Sequence, residues 1–139
     1  AFKDYYGHLL ADEHDKAEFT RNFYAEYFAV TDLAADFYLE TVKQVFQDYA
    51  LANGKLAFRG RNIDPSAIRR TALLTVEGER DDICSVGQTL AAQDLCSGVP
   101  GFLRTHYVQP GVGHYGVFSG KRWQNHVYPV VREVIHSSQ

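Results

Sequence analysis

Three side chains in two short stretches carry the chemistry this sequence has to offer. "VEGERDDICS" holds Asp81 and Asp82 just past Gly78, and "VQPGVGHYG" holds His114 between glycines. An aspartate bonded to a histidine ring fixes its tautomer and stabilises the imidazolium. The histidine so held can take a proton from a nucleophile. Taken singly, either aspartate also reads as a helix cap or turn former, and "DD" ahead of a helix suits its positive end. A histidine among glycines also reads as a turn residue. Both stretches follow strand-like runs, acid first and histidine second. That is the chain order of the last two members of an α/β-hydrolase triad, so the joint pattern favours a catalytic pair.

The nucleophile of such a triad belongs earlier, in a G-x-S-x-G elbow between strand and helix. No such elbow occurs here. Ser66 in "DPSAIRR" precedes the acid but opens a helix. Cys84 follows the acid, and its neighbouring carboxylates oppose thiolate formation. The pair is expected to lack its nucleophile within these residues.

The elements that must position the pair are legible around it. "TALLTVEG" is a continuous apolar run, expected as a strand buried on both faces of a parallel sheet. "LRTHYVQPG" reads as a second strand closed by Pro110 and Gly111. "SVGQTLAAQDLCSG" between them reads as a helix with a Ser85–Gln88 capping box and Gly98 past its last turn. Asp64 and Pro65 are expected to cap and open a helix in "IDPSAIRR". "GKRWQNHVYPVVREVIHSS" reads as a final helix with Trp123, Val127, Val131 and Val134 on one face, kinked at Pro129. Parallel neighbours would place both loops at one sheet edge, where open α/β sheets collect functional groups.

Residues 1–63 differ. They read as a helical, aromatic-rich segment ahead of an α/β portion over 64–139. "DKAEFTRNFYAEYFAV" has a stripe of Phe19, Phe23, Tyr27 and Val30. "AADFYLETVKQVFQDYALANG" repeats Tyr38, Val42, Val45 and Tyr49 with Leu39 and Phe46 alongside, capped by Asp32 and ended by Gly54.

Bulk properties narrow the function. The 139 residues suit one core, and 45% are hydrophobic. A net charge of −3 with no basic block argues against nucleic-acid binding. The apolar runs are too short to span a membrane. Cys84 and Cys96 are expected to be free thiols. No cofactor motif is present: "GVGHYG" opens no helix at the place a dinucleotide fingerprint needs, and "GKLAFRGRN" lacks the phosphate-loop pattern. "HLLADEHD" (His8, Asp12, Glu13, His14, Asp15) lacks the H-E-x-x-H order of a zinc helix and reads as a solvated helix end. His106 is expected to pack or bond within its strand, and His126 and His136 to lie on the surface.

Three long stretches, "FYAEYFAVTDLAADFYLETVKQVF", "ALLTVEGERDDICSVGQT" and "GVGHYGVFSGKRW", resemble the C-terminal part of intracellular polyhydroxyalkanoate depolymerases. The likeness runs from about Phe2 to Ile135. It implies an α/β-hydrolase that cuts esters of stored poly(3-hydroxybutyrate) in the cytoplasm, at the storage granule, through a nucleophile–Asp–His triad. It places the acid on Asp81 and the base on His114. It implies a Cys-like nucleophile in an N-terminal part absent from this chain, no cofactor or metal, and an aromatic cap that holds the polyester over the site. The chain alone is then expected to be inactive. It is also expected to self-associate through the uncovered edge of "TALLTVE". The alternatives are a granule-binding or oligomerisation module, and a fragment of a synthase-type acyltransferase.

Overall fold

A computed structural model describes residues 2–138. The chain divides into two compact units, residues 1–46 and residues 47–139.

The first unit is helical. Helix α1 (Phe2–Leu10) packs on α2 (His14–Tyr27), and α3 (Ala35–Thr41) follows. The turn before α2 places Asp12 at φ +57°, and the Glu13 carboxylate accepts from Lys16 Nζ (2.6 Å) and bonds His8 Nδ1 (2.8 Å). Of the stripe expected on α2, Phe19 is 73% exposed, and Val30 lies beyond the helix end. The rings stack on one another instead: Phe23 on Tyr27 and Tyr24 on Phe28, both four residues apart.

The long helix expected over 34–54 is corrected. The α-helical part stops at Thr41 and continues as a π-helical turn, Val42–Gln47. Tyr49 then turns left-handed (φ +48°). The Lys55 and Leu56 amides both donate to Ala50 O (2.8 and 3.0 Å), and Asn53 Nδ2 donates to Asp48 O. These turn bonds replace helical ones. Asp32 is not the cap either, because Ala34 holds that position without a side-chain bond.

The second unit opens with a hairpin that the periodicity did not announce. Strands β1 (Ala57–Phe58) and β2 (Arg61–Asn62) pair antiparallel around Arg59 and Gly60, both at positive φ. Two successive left-handed residues make the turn that best matches strand twist. Asp64 does cap the next turn, accepting from the Ser66 amide, with Pro65 at its start. That turn is only a 3-10 helix, Pro65–Ala67. Gly98 backs onto it: a Cβ there would lie 1.9 Å from Ser66 O and 2.8 Å from Ile68 O.

Strand β3 (Leu73–Gly78) pairs parallel with β4 (Arg104–Gln109), in register from Leu73↔Arg104 to Gly78↔Gln109. The architecture is mixed α and β, and this parallel pair meets the expectation drawn from the sequence. The burial is a different matter. Leu73, Leu74 and Val76 are only half-buried, while Thr75 and Glu77 are buried. The strand's innermost groups are polar. The crossover helix is also shorter than expected, reduced to α4 (Ala91–Leu95) on β3. Upstream, the amides of Gly87, Thr89 and Leu90 donate to the Glu77 carboxylate instead of opening a helix. Half of the capping box survives, as Gln88 Oε1 accepts from the Ser85 amide at 3.1 Å.

Helix α5 (Gly120–Arg122), a π-helical turn (Trp123–Val127) and α6 (Tyr128–Ser137) end the chain. Val127 is fully buried, and Trp123, Val131 and Val134 are half-buried on the expected face. Pro129 sits at the start of α6, and the widened turn before it absorbs its missing N–H.

Candidate active site

The in-register parallel pair brings the ends of β3 and β4 level. Gly78 turns the chain out of β3 against the other loop: a Cβ there would lie 2.8 Å from Val112 O. Only glycine permits that approach. Backbone bonds then tie the two loops together, Glu79 N to Gln109 O (3.0 Å) and Arg80 N to Val112 O (2.9 Å). The Glu79 carboxylate adds a third tie by accepting from Gly111 N at 2.7 Å. Gly111 itself is at φ +71°.

Across this join Asp81 Oδ2 meets His114 Nδ1 at 2.9 Å. Asp81 is held from its other oxygen, where Oδ1 accepts from the amides of Ile83 (2.9 Å) and Cys84 (2.8 Å). Its side chain is 3% exposed and that of His114 is 33%. Burial pushes the Asp81 carboxyl up, but the Cys84 amide, His114 and the Ile83 amide outweigh it and hold the group below its ordinary range. The group is therefore an ionised acceptor. A carboxylate can only accept, so the proton of this bond sits on Nδ1 and Nε2 is left as the basic nitrogen. No described residue hydrogen-bonds Nε2. The ring stands at the start of a 3-10 turn, His114–Val117, edge-on to Tyr115 and Phe118 at 5.6 and 6.2 Å.

The other candidates fall elsewhere. Asp82 is exposed on the loop. Ser66 Oγ donates to Asp64 Oδ1 at 2.6 Å, inside its own cap. Cys84 and Cys96 are unpaired thiols. Burial pushes the Cys84 thiol up, with Asp81 and Glu77 adding to the effect. His8 and His14 bond Glu13 and Asp12 locally, and among the described residues no His, Cys, Asp or Glu cluster could hold a metal. His126 and His136 are exposed.

A buried polar group that the sequence reading passed over lies on β3, four residues before Asp81. Glu77 is 1% exposed and accepts from Gly87 N (2.7 Å), Thr89 N (2.7 Å), Thr89 Oγ1 (2.8 Å) and Leu90 N (3.2 Å). Burial pushes its carboxyl up, but these donors overcome that and hold it at about 2. His106 stands beside it, Nε2 at 3.6 Å, with Nδ1 bonded to Thr75 Oγ1 at 2.9 Å. Gln93 Nε2 donates to Thr75 Oγ1 and Thr105 O. The clue was an acid at a strand position that the register buries.

Fold and site together define a mixed α/β chain with a carboxylate-oriented imidazole at the carboxyl end of a parallel strand pair. The family model described as PHB de-polymerase C-terminus matches residues 1–139, and the chain belongs to that family. No curated protein and no solved structure matches it. No helix among the described residues is long and apolar enough to cross a membrane.

Proposed function

We propose that Asp81 and His114 are the acid and base of an ester-cleaving triad in a poly(3-hydroxybutyrate) depolymerase of α/β-hydrolase type. The observation that carries this is the Asp81–His114 bond, with the acid pinned by two loop amides and Nε2 left basic. Nε2 takes the proton of the nucleophile as it attacks the ester carbonyl and returns it to the departing alkoxide. Asp81 stabilises the imidazolium in between. The nucleophile comes from outside these 139 residues, and the chain alone has no esterase activity. The enzyme works on stored polyester in the cytoplasm. The unpaired outer edge of β3, among the described residues, favours self-association of the isolated chain.

His114→Ala in the full-length depolymerase tests the proposal on poly(3-hydroxybutyrate). A loss of about ten-thousand-fold or more in kcat is expected, and near-normal turnover would remove His114 from the mechanism. Hydrolysis of a p-nitrophenyl ester by the 139-residue chain, abolished by the same substitution, would overturn the inactivity of the chain alone.

A second reading, attachment to polymer granules, is favoured by one observation. Phe19, Tyr27, Phe28, Phe37 and Phe46 are each at least half exposed. Co-sedimentation of the whole chain with poly(3-hydroxybutyrate) granules tests it, and a chain left in the supernatant rejects it.

A further inference from the structure

The loop that carries the acid is pinned at two places by two different carboxylates. Asp81 Oδ1 holds its near part at Ile83 and Cys84. Glu77 holds its far part at Gly87, Thr89 and Leu90. Glu77 belongs to β3 and is hydrogen-bonded into the parallel pair at its Val108 register, so the far anchor is as rigid as the sheet. Asp81 is outside that ladder, tied back through its own amide to Gly78 O at 3.2 Å. It lies beyond the strand, and its orientation depends on the amides of residues 83 and 84 staying where the loop puts them. With the loop closed at both ends, Oδ2 is left pointing at His114 Nδ1. Removing the far anchor would free the Gly87, Thr89 and Leu90 amides and with them the support of the loop that carries the Ile83 and Cys84 amides. Saturation by four donors leaves Glu77 no capacity for proton transfer, and His106 at 3.6 Å completes no second dyad.

Building on the hydrolase reading above, we propose that Glu77 is a positioning residue for the Asp81–His114 pair, acting through the loop amides it holds rather than on substrate. Such outer partners set the orientation of the groups that do chemistry, and small misplacements are costly in rate.

The test uses Glu77→Gln, Thr89→Val and Thr89→Ser in the full-length depolymerase on poly(3-hydroxybutyrate). It adds the proton spectrum of His114 Nδ1–H in the 139-residue chain. Glu77→Gln keeps the shape but replaces one acceptor oxygen by an amide NH2 that faces the loop donors. It should lower kcat about 10- to 100-fold with KM within about twofold, and shift or broaden the Nδ1–H resonance. Thr89→Val should lower kcat by a smaller factor, and Thr89→Ser, which keeps the hydroxyl, should restore it. Unchanged kcat and an unchanged resonance in folded Glu77→Gln would overturn the proposal. If Glu77→Gln fails to fold, equal kcat for Thr89→Val and Thr89→Ser would overturn it instead. His114→Ala separates the two readings. Retained activity there sinks the triad itself, whereas lost activity there with intact Glu77→Gln sinks only the positioning role.

Discussion

The strand pair with its loops and the helical unit solve opposite problems. In the strand pair, carboxylates are satisfied by partners far along the chain, the buried Glu77 by Thr89 and Asp81 by His114, and the exposed Glu79 by Gly111. In residues 2–46 the polar bonds stay local, such as Lys16 to Glu13 or Gln44 to Glu40, and Ala17 is the one buried residue among those described. Long-range bonds to backbone amides fix a side chain in three dimensions. Local helix bonds leave a surface that can yield to whatever meets it. The first arrangement suits chemistry and the second suits contact.

Substitutions can sharpen that contrast. The largest effect should come from Asp81→Asn in the full-length enzyme, which keeps the shape but admits the wrong ring tautomer. A kcat loss of about ten-thousand-fold is expected, and a loss under about tenfold would break the claim that the acid acts through the ring. Next is Gly98→Ala, whose new Cβ would strike Ser66 O. It should cost about 1–3 kcal/mol in chemical denaturation, as overpacking does, and an unchanged midpoint would refute that contact.

Acid should also separate the two regions. The Glu77 carboxyl is held at about 2 against an ordinary 4.5, so the folded state prefers it ionised. Its contribution to stability is complete above about pH 4.5 and is lost as pH falls from there through about 2. Thermal unfolding of the strand-pair unit should therefore decline steeply over that range, and less steeply in Glu77→Gln. Parallel curves would contradict the burial of the ion. At the small end, Phe28→Ser on the exposed aromatic surface should change stability by about 0.5 kcal/mol or less. A large loss would mean that this ring is structural.

How far the sequence could be read divides along similar lines. The Asp81–His114 pairing was legible because each residue comes after a strand-like run, Asp81 three residues past Gly78 and His114 next to Gly113, glycines that allow loop contact. Asp64 as a cap and the face of the last helix were legible for equally local reasons. The hairpin at Arg59–Gly60 was not, because strands of two residues have no periodicity to detect. The short crossover helix was not, because its first amides are claimed by Glu77, a competition set only by the tertiary pairing. The helix over 34–54 misled for another reason: its apolar spacing persists past Gln47, while turn bonds around Ala50 take over the backbone.

The register of the parallel pair has a consequence for how this sequence can vary in length. Leu73 to Gly78 and Arg104 to Gln109 match residue for residue. A single residue inserted into either strand would invert the facing of every later position in that strand and carry acid and imidazole apart. The exposed turn over residues 51–55, outside the two strands, is free of that constraint. Natural relatives should therefore differ by insertions and deletions there, while the spacing from Glu77 to Asp81 and from Gln109 to His114 stays fixed.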